Sequence, residues 1–271
     1  MTGFEIYIEL ILISLISISA YILNILSVTG IIAAFPIGVI TLIGGGPEWF
    51  ILLLYFLLVG GILTVIRHKI KGSILNNDDI KGRSWVNVMS NGLIPTIACG
   101  LSIFTFDVEI KKTLFIFYLG SISSVFSDTA STEVGLLYPG YPRLITKPKI
   151  KVPPGFSGGV TPLGFLAGFI ASLSISLVAF PGSQLLGISS RVVIIISVIS
   201  GFLGSIIDSI LGATVQAIYK CRKCGRLVEQ RTHCGLKAEL YKGFTAIDNN
   251  IVNFLTSLIG GLIAVTLLQI L

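Results

Sequence analysis

A chain of 271 residues with 53% hydrophobic residues, 12% charged residues and a mean hydropathy of +0.93 is not a soluble globular domain, which would carry about 25% charged residues. Its net charge of +6 does not point to nucleic acid, because the cations sit in loops between long apolar runs, where they set orientation. Barrel strands would show alternating segments of about 10 residues, and the sequence has none. The expected fold is all-α: a single polytopic transmembrane bundle over residues 1–271.

Eight apolar runs are predicted as spans, over residues 4–27, 30–44, 49–66, 86–106, 113–127, 156–180, 192–219 and 247–271. The second is short and holds Pro36, so a broken or re-entrant helix is an alternative to a full crossing. The first run lacks a basic leader and a small-residue cleavage site, so it reads as a retained span. Sixteen of the 19 Lys and Arg residues fall in loops 67–83, 143–151 and 220–242, while Lys111, Lys112 and Arg191 fall opposite. This bias predicts a multi-pass cell-membrane protein with those three loops in the cytoplasm and both termini outside.

Polar residues within or beside the spans carry the chemistry. Asn87 and Asn91, four apart at the start of the fourth run, share a helix face. Ser127-Asp128-Thr129-Ala130-Ser131-Thr132-Glu133 closes the fifth run. If this stretch is helical, Asp128 faces Ser131 and Thr132, and Thr129 faces Glu133. Carboxylates among hydroxyls at a membrane span need a partner. Mg²⁺ is a natural one, since it takes one or two carboxylates plus substrate phosphates; pairing with Arg143 or Lys147 is the structural alternative. Downstream, Lys147, Lys149 and Lys151 precede Pro153-Pro154-Gly155-Phe156-Ser157-Gly158-Gly159. Glycine-rich backbone entering a helix offers N–H groups to a phosphate, so Gly155, Ser157, Gly158 and Gly159 with the three lysines are candidate phosphate binders. An ordinary turn with interfacial lysines is the alternative.

In the seventh run Gly204, Asp208, Gly212 and Gln216 recur at steps of four, a small and polar stripe that would admit a neighbouring helix or a ligand. With a helix continuing to Lys220, Asp208 would lie about 18 Å up the span and would need a cavity to meet solvent. Cys221-x-x-Cys224 with His233-Cys234 reads as a Cys₃His structural Zn²⁺ site within loop 220–243; a cytoplasmic loop disfavours disulfides. His68, between Arg67 and Lys69, reads as interfacial. The eighth run opens with Asp248-Asn249-Asn250-Ile251-Val252-Asn253. Its amides can cap a helix or, like Asn87 and Asn91, serve a shared site. Asp248, Asn250 and Asn253 are taken as site residues, Asp248 beside Asp128 and Asp208 as an Mg²⁺ ligand.

The ordered motifs Asn91-Gly92, 127–135 with 152–159, 201–216 with Cys221–Cys234, and 248–253 resemble an integral-membrane family. That family is typified by the plastid phytyl-phosphate kinase of tocopherol synthesis and by animal transmembrane protein 19. The resemblance covers most of the chain from the fourth run onward. It implies a kinase that passes a phosphoryl group from a nucleoside triphosphate, CTP being suggested by related polyprenol kinases, to a prenyl monophosphate such as phytyl or geranylgeranyl phosphate. Asp128, Glu133 and Asp208 would then be catalytic, and the small stripe at Gly204 and Gly212 would admit the prenyl tail. Two alternatives share these groups: a CTP-dependent lipid nucleotidyltransferase and a transporter of a phosphorylated lipid. Nearly bare outward loops count against the transporter.

Overall fold

The computed structural model describes residues 3–71 and 82–271, with side chains from residue 11 onward except those of 12 and 71. Lys81 and the side chain of Lys71, both counted among the loop cations, lie outside the described residues. Among the described residues seven helices make the body: α1 (Gly3–Ile22), α2 (Val28–Lys71), α3 (Trp85–Ser102), α4 (Val108–Gly135), α5 (Pro162–Leu185), α6 (Ser190–Thr214) and α7 (Asn249–Ile270). Among the described residues, four of them, α2, α5, α6 and α7, are long and apolar enough to cross a membrane.

Helix α2 unites the second and third predicted runs and breaks at Gly46, whose φ of 77° and ψ of −176° are not helical. The positive φ suits glycine alone at little cost. Beyond the break the chain turns back. Ala34, Ile37 and Gly38 of the first half line the same groove as Phe50, Leu54 and Leu57 of the second. Gly44 meets the end of α3, where the Ser102 hydroxyl donates to its carbonyl and a Cβ would lie 2.0 Å from the Cys99 carbonyl oxygen.

Helix α4 is the central post and packs against α2, α3, α5, α6 and α7. Its Phe115, Ile116, Tyr118, Leu119, Ile122 and Phe126 are almost wholly buried. Tyr118 stacks near Trp49 with ring centroids 5.1 Å apart and donates its hydroxyl to the Trp49 carbonyl at 2.7 Å, which satisfies a polar group that apolar surroundings would otherwise penalise. Glycine and serine bring the backbones together. A Cβ on Gly204 would lie 1.9 Å from Ser124 Oγ, and one on Gly120 2.5 Å from the Gly260 carbonyl oxygen. The stripe on α6 is thus divided: Gly204 receives α4 rather than a lipid tail, and only its lower members face open space.

Two departures from an all-helical chain occur at one end. Strands β1 (Arg143–Leu144), β2 (Lys147–Lys151) and β3 (Gly159–Val160) form a sheet in the order β2-β1-β3. Strands β4 (Ile218–Lys220), β5 (Leu227–Val228) and β8 (Glu239–Lys242) form a second in the order β5-β4-β8, and β6 (Thr232–His233) pairs with β7 (Leu236–Lys237). Helix α5 therefore starts at Pro162, not at 156. Thr161 caps it by accepting from the Gly164 N–H at 3.0 Å, and proline is favoured in the first turn. Helix α6 stops at Thr214 instead of running to Tyr219. Lys242 closes that end, donating to the carbonyls of Gly212 at 2.9 Å and Ala213 at 3.0 Å, where a cation complements the helix dipole.

Candidate functional site

One polar cavity of about 510 Å³ opens at the end of the bundle that bears the sheets. Its wall collects the C-terminal ends of α2 (Thr64, His68), α4 (128–136) and α6 (205–212), and the N-terminal starts of α3 (Asn87), α5 (Gly164, Phe165) and α7 (Asn249). Three helix N-termini border this space, and the positive ends of their dipoles favour an anion there, although Thr161 and Asp248 already accept from the Gly164, Asn250 and Ile251 N–H groups.

Asp128 and Asp208 both line this cavity, and each lies within electrostatic reach of other carboxylates: Asp128 of Asp208 and Glu133, Asp208 of Glu229. Helix α4 continues through Asp128 to Gly135, as the local spacing requires. Because α6 ends early, Asp208 sits six residues, about 9 Å, from its terminus, and the cavity reaches it. Thr256 of α7 donates to Asp208 Oδ2 at 3.1 Å. The Asn253 amide, oriented with its nitrogen inward, donates to the same oxygen at 3.3 Å. The Ser205 hydroxyl donates to Ser131 Oγ at 3.2 Å, linking α6 to α4. Hard oxygen donors on two abutting helices are the donor type that Mg²⁺ takes.

Glu133 also lines the cavity, but both its oxygens are engaged. Thr64 donates to Oε1 at 2.8 Å and Arg67 Nε to Oε2 at 2.7 Å. The pair is part-buried, with side-chain exposures of 18% and 13%, so it clamps α2 to α4 beside the acids. Asn87 and Asn91 line the cavity, and Asn87 Nδ2 donates to Asn250 Oδ1 at 3.1 Å, tying α3 to α7. Asn250 itself stands behind the wall. Asp248, exposed and also off the cavity, is the N-cap of α7, and its Oδ1 accepts from the N–H groups of Asn250 and Ile251 at 3.0 Å each. Asp248, expected as an Mg²⁺ ligand, thus serves as a helix cap away from Asp128 and Asp208.

The glycine loop does form part of the wall, through Gly155, Ser157, Gly158 and Gly159. Gly155 and Gly158 each have a φ of 81°, and a Cβ on Gly158 would lie 2.5 Å from that of Ala213. The loop needs glycine there to dock on α6. The N–H of Gly159 is spent within the loop on the Phe156 carbonyl. Lys147, Lys149 and Lys151 do not reach the cavity; they occupy β2, which is exposed throughout. The cation in the wall is Arg83, together with His68, Gln216 and Glu229. None of these four was singled out as a site residue: Arg83 and His68 sit among loop cations, and Glu229 lies between the zinc ligands. Gln216 was a stripe member, and its burial only follows from the helix ending before it.

Cys221, Cys224, His233 and Cys234 gather with one ligand atom from each within 4.8 Å of the others. Cys224 Sγ lies 3.8 Å from Cys234 Sγ and 3.5 Å from His233 Nδ1. A tetrahedral Zn²⁺ with Zn–S of about 2.3 Å sets S···S edges of about 3.8 Å, so the group can hold a metal of that size. The Cys224 N–H pulls the Cys221 thiol down to about 6, toward the thiolate that ligates metal. The same loop supplies Glu229, which accepts from Ser157 Oγ at 2.5 Å and Gln216 Nε2 at 3.1 Å. The knuckle thereby braces the glycine loop against the end of α6.

Comparison with known proteins places these features in a lineage. The chain is 30% identical to Protein PGR of Arabidopsis thaliana over 94% of its own length and 93% of the relative. It is 29% identical to the uncharacterized membrane protein MJ0933 of Methanocaldococcus jannaschii, over 87% and 83%. It is 27% identical to Protein VTE6, chloroplastic, of Arabidopsis, over 90% of this chain and 66% of that one. No solved structure matches. Residues 11–261 match the family described as integral membrane protein DUF92, and the chain belongs to that family.

Proposed function

We propose that this protein is a prenyl-phosphate kinase that transfers the γ-phosphoryl group of a nucleoside triphosphate, with CTP favoured, to a prenyl monophosphate such as phytyl or geranylgeranyl phosphate. The observation that carries the reading is the pairing of Asp128 and Asp208 in one cavity that three helix N-termini and Arg83 also line. The similarity to Protein VTE6, chloroplastic, and the motif resemblance to phytyl-phosphate kinase support it.

The chemistry asks little covalent help. A phosphate monoester has a second pKa of about 6, so its terminal oxygen is already a nucleophile at neutral pH and needs no strong base. That oxygen forms a bond to the γ-phosphorus as the bond to the β,γ-bridging oxygen breaks, leaving a nucleoside diphosphate and a prenyl diphosphate. The obstacle is bringing two polyanions together, so positioning and neutralisation dominate. Asp128 and Asp208 would hold Mg²⁺, which when bound neutralises charge on the phosphoryl oxygens. Glu133, held by Arg67, fixes α4 relative to α2. The glycine loop receives phosphate oxygens, and the dipoles of α3, α5 and α7 favour the negative charge there. Lys147, Lys149 and Lys151, on their exposed strand, steer nucleotide to the mouth.

In this reading the eight helical segments, α2 counted as two, are eight spans in a cell membrane. The sheet-bearing end faces the cytoplasm, and the knuckle holds structural Zn²⁺. Purified protein given labelled nucleoside triphosphates and prenyl phosphates should yield a prenyl diphosphate and a nucleoside diphosphate. Pyrophosphate with a nucleotide-linked lipid would make it a nucleotidyltransferase. Absence of turnover, with movement of the lipid phosphate across vesicles, would make it a transporter.

A further inference from the structure

A second, narrow cavity of about 70 Å³ runs between α1, the two halves of α2, and α3, and its wall is almost wholly apolar. It shares a wall with the polar cavity. Arg83, Asn87 and Asn91 line both. At this junction Arg83 stands 5.2 Å over the Phe56 ring, and Phe56 itself lines the groove. Gly60 makes the room, since a Cβ there would come 3.0 Å from the guanidinium. Among the described residues no carboxylate lies within ion-pair distance of Arg83. The groove thus ends on a cation and two amides that also line the phosphate-receiving space, and it passes Gly38, where a Cβ would meet Phe50 and Ile13 at ordinary contact distances of 3.4 and 3.5 Å.

We propose that the prenyl chain of the substrate enters the groove between α1, α2 and α3, with its phosphate held at the junction by Arg83, Asn87 and Asn91. This rests on the prenyl-phosphate reading above and relocates the tail from the α6 stripe, where Gly204 is filled by Ser124. The division of labour follows from the bilayer. A hydrocarbon chain gains little by leaving lipid for an apolar protein surface, because both environments are equally dry. Affinity therefore comes from the phosphate, for which a guanidinium is suited by its planar fork. The groove supplies register: it grips the first carbons of the chain and leaves the remainder against the lipid-facing side of the bundle. The anchored phosphate then points into the space shared with Asp128 and Asp208.

The test is photolabelling of the full chain in nanodiscs with a geranylgeranyl phosphate that carries a diazirine on its first isoprene unit, read by peptide mass spectrometry. Labels are expected on residues 34–38, 53–57 and 88–92. Unlabelled geranylgeranyl phosphate should compete them away, and geranylgeraniol, which lacks the phosphate, should not. Arg83→Met should lower labelling at least ten-fold, with partial return in Arg83→Lys. Gly38→Phe should displace the label from the groove. Labels around Gly204 and Gly212, labelling that geranylgeraniol competes equally, or no saturable labelling would overturn the assignment, and the wild-type map alone decides this if a variant fails to fold. Turnover of prenyl phosphate with labels elsewhere would remove the groove and leave the kinase standing. Saturable groove labels without turnover on any nucleoside triphosphate would do the reverse.

Discussion

Helices α4 to α7 meet through glycine and serine on both partners, whereas in α1 to α3 single glycines, such as Gly44 against the Cys99 carbonyl and Gly92 against Ile37, meet backbone or large side chains among isoleucine, leucine and phenylalanine. In the first group a Cβ on Gly260 would lie 2.4 Å from that of Ser124, and one on Gly120 2.3 Å from that of Ala264. In the second, small clusters such as Ile13, Leu42 and Phe50 leave a groove beside them. Membrane helices have no hydrophobic drive toward one another, so small residues and close backbones must supply the cohesion. Tight packing holds Asp128 and Asp208 in fixed relation. The first half leaves the narrow apolar groove beside it.

The sharpest way to break this comparison is to remove one acid from the tight half. Asp128→Asn and Asp208→Asn should each lower kcat by roughly 10²-fold or more, the scale of losing one preorganised electrostatic group. Thermal unfolding in detergent should stay near wild type, since the amide is nearly isosteric. Full activity in either variant would take that residue out of the site.

Packing itself comes next. Gly204→Ala should destabilise by about 1–3 kcal/mol, because the new methyl group meets Ser124. Gly100→Ala, on α3 and facing Ile40 at 3.7 Å, should be neutral or gain up to about 1 kcal/mol from helix propensity. Equal effects in chemical denaturation would erase the distinction between the halves.

The clamp between them is Arg67–Glu133. Glu133→Gln should cost about 1–3 kcal/mol, less than the loss of a fully buried pair, because both side chains keep some exposure. A double-mutant cycle with Arg67→Met should show coupling; simple additivity would mean that the pair does not join α2 to α4.

Cys224→Ser should abolish about one equivalent of bound zinc per chain, measured by metal analysis, and slow turnover only several-fold by loosening Glu229 from Ser157. Wild-type protein without zinc would sink that reading. Smallest of all, Asp248→Ala should cost about 1 kcal/mol, the worth of an N-cap, with catalysis retained. A loss on the scale of Asp128→Asn would return Asp248 to the metal site.

The apolar runs, the helical spacing around Asp128, the Cys221–Cys234 knuckle and the family itself were legible in the sequence, because each depends on local composition or on periodicity along one segment. What only the tertiary structure decided was which polar groups meet. Asp128 and Asp208 are 80 positions apart and share a cavity because glycine lets α6 approach α4. Lys147, Lys149 and Lys151 are near the glycine loop in sequence but away from the cavity, since a five-residue strand carries them along an exposed sheet. Asp248 looked like a ligand until the start of α7 claimed it as a cap. Arg83 gave no signal among other loop cations, and its place at the junction of two cavities depends on α2 folding back at Gly46 and on Gly60 leaving room for a guanidinium. Segment-level pattern records how each helix forms; contact between helices depends on which side chains are absent, and only the packed bundle shows what fills the space they leave.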